Sequence, residues 1–301
     1  MRSLWLAALV GVLHVHHAPS HDSSAPFEDV LAAAHAARLD FVVLTEHASA
    51  ESGPLPAAEL AGPHVAPDGH RVLVLVGVEL GTLDGHLLAL GVRELVPARD
   101  QPGRAVVASI HAQGGFAVVP HPLTYGGWRD WSAPVDGLEV QNNAAAFRHI
   151  TGPLLPFRVL RFALDPEAAL RNMLVRPAEE LELWDRLLAE RRPIWGFAGS
   201  DAHQNISLLG WQLDPYARMF RTVQTVCPDG PLETAALWAA LRGGRCHVHL
   251  PLFEADRARA REVVLPSGRR ELQLDGGDRV LEIHQPPHSE GEEPQAILPG
   301  Q

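Results

Sequence analysis

The sequence contains no lysine: every one of its 25 basic residues is arginine. A Schiff-base lysine and the lysine of a phosphate-binding P-loop are thereby excluded. Cysteine is almost as scarce. Cys227 and Cys246 are the only two and show no C-x-x-C spacing, so neither a zinc ribbon nor a disulfide scaffold is expected. Positive charge is in deficit, with 25 Arg against 36 Asp and Glu and a net charge of −11. Non-specific binding to nucleic acid or to anionic membranes needs a positive field, so neither is expected. No stretch reaches the ~18–20 apolar residues that span a bilayer.

Apolar residues, at 46% of 301, are plentiful enough for a large core. Barrel-type domains run to roughly 200–250 residues, so one such domain over 1–250 with a short appendage over 251–301 fits the length. Residues 1–10 stand apart. Arg2 and the apolar run Leu4–Leu13 read either as a buried first strand or as a short signal-peptide core. The first reading puts the protein in the cytoplasm; the second exports it.

Strand-like and helix-like segments alternate. Strands are expected at Gly11–His16, Phe41–Thr45, Val72–Glu79, His86–Leu90, Phe116–Val119, Gly137–Gln141 and Ile194–Ala198. Near-continuous apolar runs such as VLVLVGVEL point to strands buried on both faces. Helices are expected at Pro26–Arg38, Gly103–Gln113, Pro177–Arg191 and Pro231–Leu241, with prolines suited to first-turn positions. This alternation indicates an α/β barrel or a doubly wound sheet. After about residue 250 the pattern changes to short antiparallel strands at Glu262–Leu265, Glu271–Leu274 and Val280–His284, followed by an acidic tail expected to be disordered.

The 17 histidines are the one surplus without a bland cause. Six of them sit at strand boundaries: His14 and His16 after strand one, His47 after strand two, His86 at the start of strand four, His121 after strand five and His203 after strand seven. Alternate residues of a strand share a face, so His14 and His16 point the same way. Carboxylates stand beside them at Glu79 and Asp201. In parallel α/β barrels the C-terminal strand ends face one cavity. Imidazoles and carboxylates gathered there, without cysteine, suit Zn, Mn or Fe. The number of donors suits two or three divalent ions, with Glu79 as a natural bridge. Such a centre lowers the pKa of water and clamps an oxyanion, the chemistry of ester hydrolysis.

The ordered set H-x-H, S-x-D, T-E-H, G-x-E, G-H-x-L-x-x-G, H-P, E-x-x-N and G-S-D-A-H, from about Gly11 to His203, resembles the PHP (polymerase and histidinol phosphatase) superfamily. The resemblance implies a distorted (β/α)7 TIM-like barrel with a di- or trinuclear metal centre. It would make His14, His16, Asp22, His47, Glu79, His86, His121, Asp201 and His203 the metal ligands. Asp22 is preferred over His21 on spacing. The phrases VLHVHHAPSHDS, LELWDRLLAERR and GFAGSDAH resemble a stand-alone bacterial branch that includes carbaryl-hydrolase-like enzymes.

Two positions depart from the family pattern. His17 stands where Thr or Ser is usual, and reads as an added ligand, a proton carrier or neither. Glu46 replaces the commoner Asp, and reads as an acceptor orienting an imidazole. Glu139 and Asn142 are either supporting acceptors or loop residues. His35, His64, His70, His111, His149, His247, His249, His284 and His288 are expected to be structural, with His247 and His249 at a surface or barrel edge. Arg148 and Arg221 are candidates to bind substrate phosphate. The expected function is hydrolysis of a small phosphate ester by a metal-activated water. Alternatives are a carboxyl or carbamate ester hydrolase, a nuclease, or a non-catalytic PHP binding module.

Overall fold

The computed structural model describes residues 8–275, apart from 49, 125–126, 144–160, 163, 175–176, 191–192, 209, 254–258 and 265–269. In chain order the first elements are β1 (Ala8–Val15), α1 (Phe27–Ala36), β2 (Phe41–Leu44), β3 (Gly62–Val65), β4 (Arg71–Val76), β5 (Val78–Thr82) and β6 (Gly85–Leu90). Then come α2 (Gly103–Ala112), β7 (Phe116–Val119), β8 (Gly137–Asn142), α3 (Pro166–Met173), α4 (Ala178–Ala189) and β9 (Trp195–Gly199). They are followed by β10 (Ser207–Leu208), β11 (Trp211–Gln212), α5 (Tyr216–Met219), β12 (Gln224–Pro228), α6 (Thr234–Arg242) and β13 (His247–His249). Last are β14 (Arg259–Val264) and β15 (Arg270–Asp275).

The class is α/β, with two main sheets rather than one continuous ladder. One has the order β13-β12-β1-β2-β4-β3, the other β5-β6-β7-β8-β9. Parallel and antiparallel pairs are mixed: β1-β2-β4 and β7-β8-β9 run parallel, while β1-β12, β5-β6 and β6-β7 are antiparallel. The sheets meet at two seams near one end of the strands. At one, Ser200 N–H donates to Leu13 O (2.8 Å) and His16 N–H to Ala202 O (3.0 Å). At the other, Gly77 N–H donates to Leu44 O (2.8 Å) and Glu79 N–H to Glu46 O (3.1 Å).

Alternation explains the apolar runs. Leu13, Phe41, Val43, Leu73, Leu75, Leu88, Leu90, Phe116, Val118 and Phe197 form one buried cluster joining strands of both sheets. Their neighbours Val12, Val42, Val72, Val74, Ala89, Ala117 and Val119 face the other way, in a second cluster with Val30, Ala33 and Ala34 of α1, Val106, Val107 and Ile110 of α2, and Leu183, Trp184 and Leu187 of α4. Both faces of the central strands are covered, so no polar alternation is needed.

The run Val72–Glu79, expected as one strand, is two. It breaks at Gly77, and β4 and β5 belong to different sheets. A Cβ at Gly77 would lie 2.7 Å from a Leu90 methyl and 2.9 Å from Ala89 O, so glycine is required where the chain crosses between sheets. Strand β1 begins at Ala8, so the second half of the Leu4–Leu13 run is sheet; residues 1–7 lie outside the described residues.

The expectation that these two cysteines, lacking C-x-x-C spacing, provide no disulfide framework is corrected in one respect: Cys227 and Cys246 form a disulfide. Strands β12 and β13 pair with Val226 opposite His247, and the next rung sets Cys227 opposite Cys246 with Cα atoms 4.2 Å apart. Helix α6 lies between them in sequence, which hides the pairing from spacing rules. His247 and His249 lie on β13, at the sheet edge. The β14–β15 hairpin occupies two of the three expected C-terminal strands; Val280–His284 and the acidic tail lie outside the described residues. Among the described residues no helix is long and apolar enough to cross a membrane.

Candidate metal centre

Six strand termini converge at the seamed end. His14 and His16 leave β1, His47 follows β2, Glu79 lies on β5, His121 follows β7, and Asp201 and His203 follow β9. His86 is the second residue of β6, which runs antiparallel to β5 with His86 opposite Gly81. The reversal explains why the start of this strand reaches the same place as the ends of the others. All nine residues singled out in the sequence are brought together. They form three groups: His16, Asp22, His47 and His203; His14, His16 and Asp201; and Glu79, His86 and His121; the first two share His16.

Glu79 is the hub. Its Oε2 lies 3.0 Å from His14 Nε2, 3.2 Å from His16 Nε2 and 3.6 Å from His47 Nε2. Its Oε1 lies 2.7 Å from His86 Nδ1 and 3.2 Å from His121 Nε2. One carboxylate thus faces five imidazoles while being 2% exposed. Asp201 Oδ1 stands 3.4 Å from His14 Nε2 and 3.6 Å from His203 Nδ1. Asp22 Oδ2 stands 2.9 Å from His203 Nε2 and 3.3 Å from His47 Nε2.

The far nitrogens are held from behind. Glu139 accepts from His14 Nδ1 at 2.8 Å, and its other oxygen accepts from His121 N–H (3.0 Å) and the Asn142 amide (2.7 Å). Ser20 Oγ contacts His16 Nδ1 and accepts from His47 N–H, each at 3.0 Å. His203 Nδ1 donates to Asp201 O at 2.9 Å, and Tyr216 donates its hydroxyl to His16 O. These contacts fix ring orientation and tautomer, as around metal-ligating histidines. Gly199 makes room for one of them: a Cβ there would fall 2.0 Å from Glu139 Oε1. The backbone is strained at three of the nine residues. His14 (φ 62°), Asp201 (φ 48°) and His121 (φ 31°) lie in the left-handed region, a conformation that clusters at functional sites.

The electrostatics of the side chains alone favour a cation. Burial pulls the His14 pKa down, but the carboxylates of Asp201, Glu139 and Glu79 outweigh it and hold it well above the ordinary value. Burial also opposes His47, His121 and His203, yet Asp22, Glu79 and Asp201 raise all three, His203 to about 9. Glu79 and Asp201 are held low, because His14 and its neighbours outweigh their own burial. His16 moves the other way, lowered by desolvation. The donor set passes a direct test. His16 Nε2 and Asp22 Oδ1 are buried without a hydrogen-bond partner, and both belong to one group. The donor atoms in each group lie within 4.8 Å of one another. Tetrahedral bonds of about 2.0–2.3 Å place ligand atoms at such separations.

Other expectations resolve differently. His17 and Glu46, the two departures from the pattern, are partners of each other: the His17 ring hydrogen-bonds the Glu46 carboxylate, which also accepts from His17 N–H. His17 is therefore turned away from the three groups. Arg221 does not line the cavity; it is exposed, 3.7 Å from Glu167. Arg148 lies outside the described residues. The guanidinium at the cavity, among the described residues, is Arg99. Its backbone N–H and that of Ala98 donate to Glu51 Oε2, at 3.2 and 3.1 Å, and its Nε stands 3.4 Å from Glu51 Oε1. No spacing rule marks Arg99, which sits in the long connection from β6 to α2. The cavity itself, about 850 Å³, is lined by seven of the nine candidate ligands, all but His14 and His16, and by apolar residues that include Val96, Ala98, Ile206 and Met219.

No family model and no curated protein matches the chain. Solved structures do. A two-domain protein from Bacteroides vulgatus, described as containing a predicted PHP-like metal-dependent phosphoesterase, is 18% identical with a TM-score of 0.50. The match covers 89% of this chain and 75% of that one. PsfC from Pseudomonas syringae is 19% identical over 77% of this chain and 88% of its own, with a TM-score of 0.43. The first likeness supports a shared α/β fold.

Proposed function

We propose that this protein is a PHP-type metal-dependent hydrolase of a small phosphate monoester. The observation that carries the reading is the convergence of six imidazoles and three carboxylates, from six strand termini and the β1–α1 connection, into three groups linked by Glu79. On this reading the two sheets are one distorted barrel, seamed at Leu13–Ser200 and Leu44–Gly77, occupying residues 1–250 with 251–301 as the appendage. His14, His16, Asp22, His47, Glu79, His86, His121, Asp201 and His203 hold two or three ions of Zn, Mn or Fe. Bound there, such ions supply Lewis acidity for activating water and for stabilising oxyanion charge.

The chain's own groups do the rest. Glu79 spans the groups and keeps them in fixed relation. Glu139, Ser20 and the Asp201 carbonyl hold the rings of His14, His16 and His203. Arg99 offers a guanidinium to substrate anion at the cavity wall, held in place by Glu51. His21, the lining imidazole outside the nine, is given the proton for the leaving oxygen. The disulfide favours export over the cytoplasm, because such bonds persist in oxidising compartments.

A second reading, an aryl carboxyl or carbamate ester hydrolase of the carbaryl-hydrolase-like branch, draws on the apolar wall formed by Val96, Ala98, Ile206 and Met219. The deciding experiment compares an aryl phosphate with an aryl carboxyl ester on protein reconstituted with Mn²⁺ or Zn²⁺. The phosphate should turn over faster. Activity that survives both EDTA and the double variant His47→Ala with Asp201→Ala would sink the mechanism.

A further inference from the structure

Asn143 stands one residue beyond β8, its side chain buried at 2% exposure. Its amide nitrogen donates to Thr222 Oγ1 at 2.5 Å, and Thr222 gives its hydroxyl proton to Met219 O at 2.6 Å. A hydroxyl has one proton. With that proton committed, Thr222 Oγ1 can only accept, and the Asn143 amide must present its NH₂ to it. The orientation is thereby fixed by chemistry: a flipped amide would set two acceptors face to face. Asn143 Oδ1 is left buried and without a partner, and Asn143 lines the cavity. Ser200, one residue before Asp201 and 1% exposed, lines the same cavity with its Oγ also unpartnered. Buried polar atoms are nearly always satisfied, so two such atoms in one cavity call for a ligand.

The chemistry of the two atoms selects the ligand. An amide oxygen only accepts, so its partner is a hydrogen-bond donor or a cation, and a cation could not also take the Ser200 proton. A phosphate dianion and a carboxylate cannot donate. A serine hydroxyl needs somewhere to place its proton. A substrate hydroxyl answers both, donating to Asn143 Oδ1 and accepting from Ser200. We infer that Asn143 and Ser200 read a free hydroxyl on the alcohol half of the substrate, so that the preferred esters are those of polyols rather than of simple alcohols. This rests on the phosphoesterase reading for the reacting bond, and on the hydrogen-bond arithmetic alone for the hydroxyl.

The test uses the full-length, metal-loaded protein with a matched pair, β-glycerophosphate and isopropyl phosphate. The wild type should favour the hydroxylated ester in kcat/KM. Asn143→Leu should lower that preference ten-fold or more, because a site built to bond a hydroxyl rejects the analogue that lacks it. Ser200→Ala, a smaller truncation, should lower it in the same direction. Equal losses on both esters would overturn the inference, since Asn143 would then act on something common to them, such as water. Calorimetric binding of dihydroxypropylphosphonate against propylphosphonate separates the two claims. If no phosphate ester is hydrolysed but the dihydroxy compound binds more tightly and Asn143→Leu abolishes the difference, the phosphoesterase reading fails and the hydroxyl subsite stands. No preference by the wild type in turnover or binding would overturn the subsite.

Discussion

Replacing His17 by alanine removes one half of a pair that is 3% and 0% exposed. Glu46 would be left buried with the His17 backbone N–H, at 3.0–3.1 Å, in place of the ring and the N–H together. Stripping a buried carboxylate of one hydrogen-bond partner costs about 1–3 kcal/mol. Glu46 is fully buried and keeps only the backbone donor, so the expected loss is at the upper end, about 3 kcal/mol. For a chain of 301 residues that lowers the melting temperature by roughly 5 °C. Replacing both members by apolar residues of similar volume, His17→Leu with Glu46→Met, should recover most of the loss, because no unpaired buried group remains. Urea denaturation of the two single variants and the double variant gives the coupling directly. A second readout bears on chemistry: the His17→Ala protein should retain the wild-type metal content by elemental analysis, since His17 faces Glu46 and not the cluster. Additivity within ~0.5 kcal/mol would refute the pairing. Loss of an ion from the His17→Ala protein would refute the assignment of His17 outside the centre.

Three further outcomes are expected. Gly199→Ala drives a methyl into the Glu139 carboxylate and frees His14 Nδ1, so metal affinity should drop about 10–100-fold in a chelator competition while the chain stays folded; unchanged affinity would show that Glu139 does not orient His14. In protein stripped by a chelator, His203 is raised to about 9 against its burial by Asp22 and Asp201, so its contribution is complete below pH 6.5 and fades as pH rises through about 9. The urea midpoint of stripped protein should therefore fall across that interval, and zinc binding at pH 7 should release protons in calorimetry; a midpoint that rises instead would contradict the His203–Asp22 contact. Reduction of Cys227–Cys246, which are 19 residues apart, should cost about 3 kcal/mol, and unfolded, unreduced protein should show no free thiol to a thiol reagent.

Much of this protein is local in origin and therefore legible in its sequence. Strand periodicity, helix boundaries near Pro26 and Gly103, and the order of the histidine and carboxylate motifs depend on neighbours within a few residues. Together with the resemblance to the PHP superfamily, they named the nine residues that the fold gathers. All of these motifs but S-x-D sit at or beside strand boundaries, and strand boundaries on one side of an α/β fold meet by topology. Pairings between distant segments are not encoded that way. Only the tertiary structure turned β6 around so that His86 faces Glu79. It set Cys227 opposite Cys246 across a rung, and it joined His17 to Glu46, two unusual residues that looked independent in the sequence. It also decided the cavity wall. The connection from β6 to α2 starts at the far end of the sheet and returns to the rim, where Leu83 N–H donates to Gln101 O and Gly103 N–H to Asp84, bringing Arg99 to the site in place of Arg221. Asn143 and Ser200 are distinguished by what they lack, and a missing partner exists only once every neighbour has a position. Sequence carries donors and acceptors; their count against one another is settled by packing.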